Sequence, residues 1–317
     1  MKAVFLDFAT MGPDLDLAVL EEAVGTLAVF DTTSDAELPG RIADADAVFT
    51  NKMRLSASLL AGAPRLRFIG LTATGTDNID LDAAAAHGIA VANIRAYCTR
   101  SVAEHVFGVL LMLTHRLAAY RESVAAGRWQ RSKMAFLLDH PITELAGKSL
   151  GVVGYGDLGR AVAALGEAFG MQVLVAARRG AADVPAGRTA FDDLLGRADV
   201  ISLHCPLNAA TRNLFSAGEF ARMKPTALLV NTARGGLVDS AALAVALASG
   251  TIGGAAVDVL PTEPPVDGDP LLDYTGHNLV VTPHIAWASD RARQNAIDEL
   301  AANIRAFTAG TRRNRVT

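Results

Sequence analysis

Short apolar runs rich in β-branched and aromatic residues recur along the chain, each followed by a longer polar or Ala/Leu-rich stretch. The first series is KAVFLDF (2–8), LAVFD (27–31), DAVFTN (46–51), LRFIGLTAT (66–74) and IAVANI (89–94), with helical spacing between runs, as from Leu15 to Val24. A second series starts at SLGVVGYG (149–156) and continues through MQVLVAA (171–177), ADVISLHCP (198–206), ALLVNTA (227–233), GGAAVDVL (253–260) and NLVVTPHI (278–285). Strands that alternate with helices must be joined by crossovers, which produce parallel sheets covered by helices on both faces. Two doubly wound α/β domains are therefore expected. Between the series, residues 101–129 read as one helix, apolar on nearly every side as far as Arg116, which must be buried between domains or against another subunit. The last segment, ASDRARQNAIDELAANIRAFTAG (288–310), reads as one amphipathic helix suited to pack back on the first domain. No repeat of fixed period and no low-complexity linker interrupts this order.

Composition narrows the classes. A length of 317 residues suits two cores rather than one, and a formal charge of −4 gives no general basic field for nucleic acid or an anionic membrane. The longest apolar run, VFGVLLML at 106–113, is far short of the roughly 20 residues that cross a bilayer, and Asp7 interrupts the apolar start of the chain. Neither secretion nor membrane insertion is expected. Cys98 and Cys205 lie far apart without metal-ligand spacing, which fits two thiols in a reducing cytoplasm and no metal site.

The sequence VVGYGDLGR (152–160) carries Gly154, Gly156 and Gly159 in a Gly-x-Gly-x-x-Gly pattern. Such a pattern alone is a weak signal, but here it follows an apolar strand, Leu150–Val153, and opens a helix, Leu158–Phe169, with Asp157 at the junction. In that setting Gly154 permits the turn, Gly156 admits a pyrophosphate against the backbone, and Gly159 lets helix and strand approach. The helix N-terminus, at Asp157 and Leu158, faces the negative charge. Dinucleotide binding follows. After the next strand, VLVAARRG (173–180) has Ala177 where a carboxylate would take the ribose 2′-hydroxyl, followed by Arg178 and Arg179. Guanidinium forks suit a 2′-phosphate, so the pocket is expected to accept NADP(H) at least as well as NAD(H).

Three residues able to act beside such a cofactor fall at or just past the ends of successive strands. Arg234 follows LLVNTA, Glu263 lies in DVLPTEPP, and His284 ends LVVTPH. Taken singly each has an ordinary structural explanation; their common placement on the ligand-binding edge of one sheet raises the odds of a site.

The motifs TGTDNIDLDAAAAHGIAVAN, SVAEHVFG, the glycine turn, HCPLNAATRNLF, LVNTARGGLVD, AAVDVLPTEPP and TPHIAW occur in one order over nearly the whole chain. In these the chain resembles the D-isomer-specific 2-hydroxyacid dehydrogenase family, most closely its glycerate dehydrogenase and hydroxypyruvate–glyoxylate reductase branch. The resemblance implies a flavodoxin-like substrate domain formed by both termini, 1–97 with 288–317, a Rossmann cofactor domain at 98–287, substrate between them, and a homodimer formed largely through the cofactor domains. It gives His284 the role of acid/base, Glu263 that of its partner, favouring the imidazolium, and Arg234 that of anchoring the substrate carboxylate and polarising the carbonyl. The backbone N–H groups of Thr74 and Gly75 correspond to those that hold the carboxylate from the other side. Cofactor contacts fall to Val102, Cys205, Pro206, Thr232, Ala233 and Asp258, the last at the nicotinamide carboxamide. Met53, in the loop Asn51–Arg54, and Trp287 are expected at the substrate side chain, favouring small polar 2-keto acids such as hydroxypyruvate and glyoxylate. Phosphite dehydrogenases of the family carry a lysine where this chain reads TATGTDN, which disfavours that activity. The alternative of another class is a dinucleotide-sensing, corepressor-like interaction protein, against which the compact chain ends argue.

Overall fold

A computed structural model describes all residues, Met1–Thr317. The chain forms two compact units, Met1–Cys98 with Ala288–Thr317, and Thr99–Trp287.

In the first unit the strands are β1 (Lys2–Phe5), β2 (Thr26–Val29), β3 (Ala47–Thr50), β4 (Phe68–Leu71) and β5 (Ala90–Ala92), with helices α1 (Ala18–Val24), α2 (Leu38–Ile42), α3 (Ala57–Ala61) and α4 (Leu81–Ala86). All strand pairs are parallel, in the order β2-β1-β3-β4-β5. That is the flavodoxin-like order. Val4, Leu6, Val48, Ile69, Leu71 and Val91 face one buried cluster. Phe5, Phe49 and Phe68 turn to the other side, in edge-to-face contact with one another. The period-2 alternation of a sheet buried on both faces is thus plain in the first series of strands.

The second unit contains α5 (Thr99–Thr114), α6 (Leu117–Ala125), β6 (Ser149–Val153), α7 (Asp157–Ala168), β7 (Gln172–Val175), α8 (Phe191–Arg197), β8 (Val200–Leu203), α9 (Ala217–Phe220), β9 (Leu228–Asn231), α10 (Ser240–Ala248), β10 (Gly254–Val257) and β11 (Leu279–Val281). Its strands are again all parallel, ordered β11-β10-β9-β8-β6-β7. Leu150, Val152, Val200, Val230 and Ala256 face one core cluster, and Val153, Ile201, Leu203, Leu229 and Val257 face the other. The order reverses at β6, so the crevice outside its carboxyl end is the place where an open α/β sheet takes a ligand.

One expected element differs. The single helix over 101–129 is two, because Arg116 adopts the left-handed conformation (φ 54°) and turns the chain between α5 and α6. Val106, Phe107, Leu110 and Leu113 of α5 are buried within its own unit, in the same core cluster as Leu150 and Val230, and Val102 is buried too. A last helix, α11 (Asp290–Thr308), belongs to the first unit. Ser289 caps it, Arg293 forms a two-pronged ion pair with Asp14, and Asn303 donates to the Asn93 carbonyl at 2.8 Å. A Cβ on Gly70 of β4 would come within 2.4 Å of Leu300 Cδ1, so glycine there lets α11 lie close on the sheet.

Candidate active site

The glycine turn fills the gap between β6 and α7. Gly154 has φ 95°, and a Cβ there would meet the backbone of His204 and Cys205 at 2.5 Å, because the turn is pressed on the end of β8. A Cβ on Gly159 would lie 2.1 Å from the Gly154 carbonyl oxygen. Gly156 is different: nothing lies within 4 Å of the corresponding position. Its open side adjoins the first turn of α7, where the N–H groups of Asp157, Leu158 and Gly159 have no acceptor four residues back. At the end of β9, on the same edge, the buried Thr232 hydroxyl has no hydrogen-bond partner. An open glycine, free helix amides and an orphaned hydroxyl suit a dinucleotide with its pyrophosphate on the turn.

At the end of β7, Ala177 is buried and Arg178 is exposed. Arg179 is committed elsewhere: its Nη2 donates to the buried Glu219 carboxylate at 2.6 Å, and Glu219 in turn closes the capping box of α9 with Ser216. Cys205 is half-buried, and Pro206 beside it is exposed, its carbonyl accepting from Thr211.

Arg234 leaves the end of β9 after Ala233. Asn231 ties this turn together, donating to the Arg234 carbonyl at 2.9 Å and accepting from the Ala233 N–H at 3.1 Å. A Cβ on Gly235 would come within 2.0 Å of the Leu260 carbonyl carbon. The Arg234 turn therefore lies directly against the segment leading to Glu263. Glu263 accepts from the Leu260 N–H through Oε1 at 2.8 Å, and its Oε2 lies 2.5 Å from His284 Nδ1. With Nδ1 so engaged, Nε2 is the ring nitrogen left for a reacting group. His284 sits at φ 56°, and its backbone N–H is shared between the carbonyls of Asp258 (2.8 Å) and Thr282 (3.0 Å). A non-glycine residue in that region is uncommon and is held here by its surroundings.

Asp258 supplies much of that hold. It is 2% exposed; Oδ1 accepts from the Thr282 hydroxyl at 2.5 Å and the Ile285 N–H at 2.9 Å, and Oδ2 accepts from the Ala286 N–H at 2.9 Å. The carboxylate expected at the nicotinamide carboxamide thus also fixes the loop bearing His284. Trp287 donates its indole N–H to the His284 carbonyl at 2.9 Å, and Ser101, beside the buried Val102, donates to the Ala286 carbonyl at 2.7 Å.

The remaining expected residues lie in the first unit. Thr74 Oγ1 donates to the Ile94 carbonyl at 2.9 Å, next to Gly75 in the turn after β4. The Met53 N–H donates to Asp7 Oδ2 at 3.1 Å, as do those of Asn51 at 3.2 Å and Lys52 at 2.6 Å. Asp7, buried at the end of β1, thereby shapes the whole 51–53 loop. Motif reading missed this role, although a lone acid inside an apolar strand was its signal.

The second unit carries the comparison with known proteins. Residues 107–286 match the family model for the NAD-binding domain of the D-isomer specific 2-hydroxyacid dehydrogenases. The chain is 45% identical over 285 residues to the glycerate dehydrogenase of Methylorubrum extorquens, covering 89% of each. It is 36% identical to the hydroxypyruvate reductase of Blautia hydrogenotrophica, covering 98% of each. An acyclic imino acid reductase solved in complex with NADPH and D-Arg superposes over all of both chains, with a TM-score of 0.86 at 27% identity. The chain belongs to the D-isomer specific 2-hydroxyacid dehydrogenase family. It is an oxidoreductase whose Rossmann domain takes a nicotinamide dinucleotide.

Proposed function

We propose that the protein reduces small 2-keto acids, hydroxypyruvate and glyoxylate foremost, to 2-hydroxy acids of the D series. The observation that carries this reading is the 2.5 Å contact between His284 Nδ1 and Glu263 Oε2 on the edge that also bears the glycine turn. The names of the relatives in Methylorubrum and Blautia support the substrate class. The turn at Gly154–Gly159, with Thr232 and Asp258, would hold a reduced nicotinamide dinucleotide, which would supply the hydride. His284 delivers a proton from Nε2 to the carbonyl oxygen, while Glu263 stabilises the charged ring and fixes its orientation. Arg234 pairs with the substrate carboxylate and polarises the carbonyl through a rigid planar fork. The amides of Thr74 and Gly75, with Met53 and Trp287, complete the substrate contacts. Arg178 favours NADP(H), Cys98 and Cys205 are free thiols suited to a reducing cytoplasm, and the active form is a homodimer.

Oxidation of NADPH and NADH on addition of hydroxypyruvate, glyoxylate and pyruvate tests the reading. Turnover should be greatest with the first two, and His284→Ala should lose about 10²–10⁴-fold in kcat with the cofactor KM nearly retained. Cofactor binding without turnover on any 2-keto acid would instead support the sensor.

A further inference from the structure

The crevice at the end of β7 has a second cation that motif spacing does not show. Arg188 is exposed, and its guanidinium carbon lies 5.0 Å from the centroid of the Tyr155 ring, which belongs to the glycine turn itself. The chain reaches this place because residues 175–177 and 189 are stitched together. The Ala177 N–H donates to the Thr189 carbonyl at 2.8 Å, and the Thr189 N–H donates to that of Val175 at 2.8 Å. Arg178 and Arg188 therefore leave two backbone segments that are hydrogen-bonded neighbours, next to the turn that takes the pyrophosphate. Neither guanidinium is ion-paired, whereas Arg179 is held by Glu219.

Two exposed, unpaired guanidiniums on adjoining segments beside the turn suit an anion that reaches both. Stacking on Tyr155 costs Arg188 none of its N–H donors and fixes the plane of its fork. No carboxylate stands at position 177 to accept a ribose hydroxyl. We infer that Arg188, held over Tyr155, is the second guanidinium of a 2′-phosphate subsite whose first is Arg178, and that Arg179 has a structural role instead. The inference rests on the NADP(H) reading above and names the groups that set cofactor choice.

The test is the ratio of kcat/KM for NADPH over NADH in the wild type, Arg178→Ala, Arg188→Ala and Tyr155→Leu, with titration of adenosine 2′,5′-bisphosphate and AMP into each protein. One charge-assisted contact corresponds to roughly 10–100-fold. Arg188→Ala should therefore lower the ratio by about that factor and weaken the bisphosphate but not AMP. Tyr155→Leu should lower the ratio less. Arg179→Ala should leave it near the wild-type value and lower the melting temperature through Glu219. A ratio that falls in Arg178→Ala and stays constant in Arg188→Ala overturns the inference while leaving NADP(H) use intact. A wild type that prefers NADH and binds the bisphosphate no better than AMP overturns both.

Discussion

His204 ends β8 with its ring turned inward. Nε2 lies 2.8 Å from the Ser202 hydroxyl, and Nδ1 is buried without a partner. Burial pushes its pKa down from 6.5 to about 4. The unfolded chain therefore binds a proton between those two values that the folded chain refuses, so stability falls as the pH drops through that window and levels off below it. The loss should be about 2 kcal/mol between pH 7 and pH 5. Urea unfolding at both pH values checks this: His204→Gln should remove most of the difference, and an equal fall in both proteins would refute a buried neutral imidazole. The residues at the ends of β9, β10 and β11 could be picked from the sequence because strand ends on one edge are countable. Which other groups touch could not: the pairing of Glu263 with His284 came from the resemblance, whereas the contact of Arg179 with Glu219 spans 40 residues and Asp7 reaches the 51–53 loop across more than 40. Such pairings depend on how strands stack sideways, which periodicity along the chain does not encode.

The glycine turn allows an element-level test in which folding and binding separate. Gly156 has φ −80° and ψ −158°, a backbone that any residue adopts, and an open side. Gly156→Ala should melt within a degree or two of the wild type. The added methyl group should nevertheless occupy the space needed for close backbone approach to the pyrophosphate, raising the dissociation constant for NADPH and NADH alike by about 10-fold or more. Gly154→Ala, with φ 95° and the backbone of β8 in the way, should lose stability as well. Fluorescence titration beside differential scanning calorimetry would show it; an alanine at 156 that binds normally would remove the pyrophosphate from this turn. The turn was legible because strand, glycines and helix follow one another directly. The break between α5 and α6 was not, since neither glycine nor proline marks it, and the left-handed turn falls on an arginine.

On the scale of the molecule, both parallel sheets could be read from two runs of short strands, but a cluster of exposed apolar residues could only be seen after folding. Of sixteen large apolar residues that remain exposed, eight lie between Met112 and Ile142, about a tenth of the chain. Trp129, Met134, Phe136, Leu138 and Ile142 are each more than half exposed in a segment that has no helix or strand beyond residue 125. The segment is nonetheless shaped. Trp129 Nε1 donates to the Ala135 carbonyl at 3.0 Å, Arg128 pairs with Asp139 at 2.9 Å, and the Tyr120 hydroxyl donates to the His140 carbonyl at 2.7 Å. Ordering a chain while leaving its largest apolar groups in water is unfavourable, and the deficit is recovered when a second surface covers them. A twofold contact through α6 and residues 127–142 would do so with each arm on the other copy, given a buried area above the ~1,200 Å² typical of stable pairs. Sedimentation equilibrium at micromolar concentration should give twice the chain mass. Phe136→Asp combined with Leu138→Asp should give the single mass and a concentration-independent melting temperature, since the wild-type value would rise with concentration by mass action. A wild type of single mass, or a double variant that stays paired, would place the dimer elsewhere or remove it.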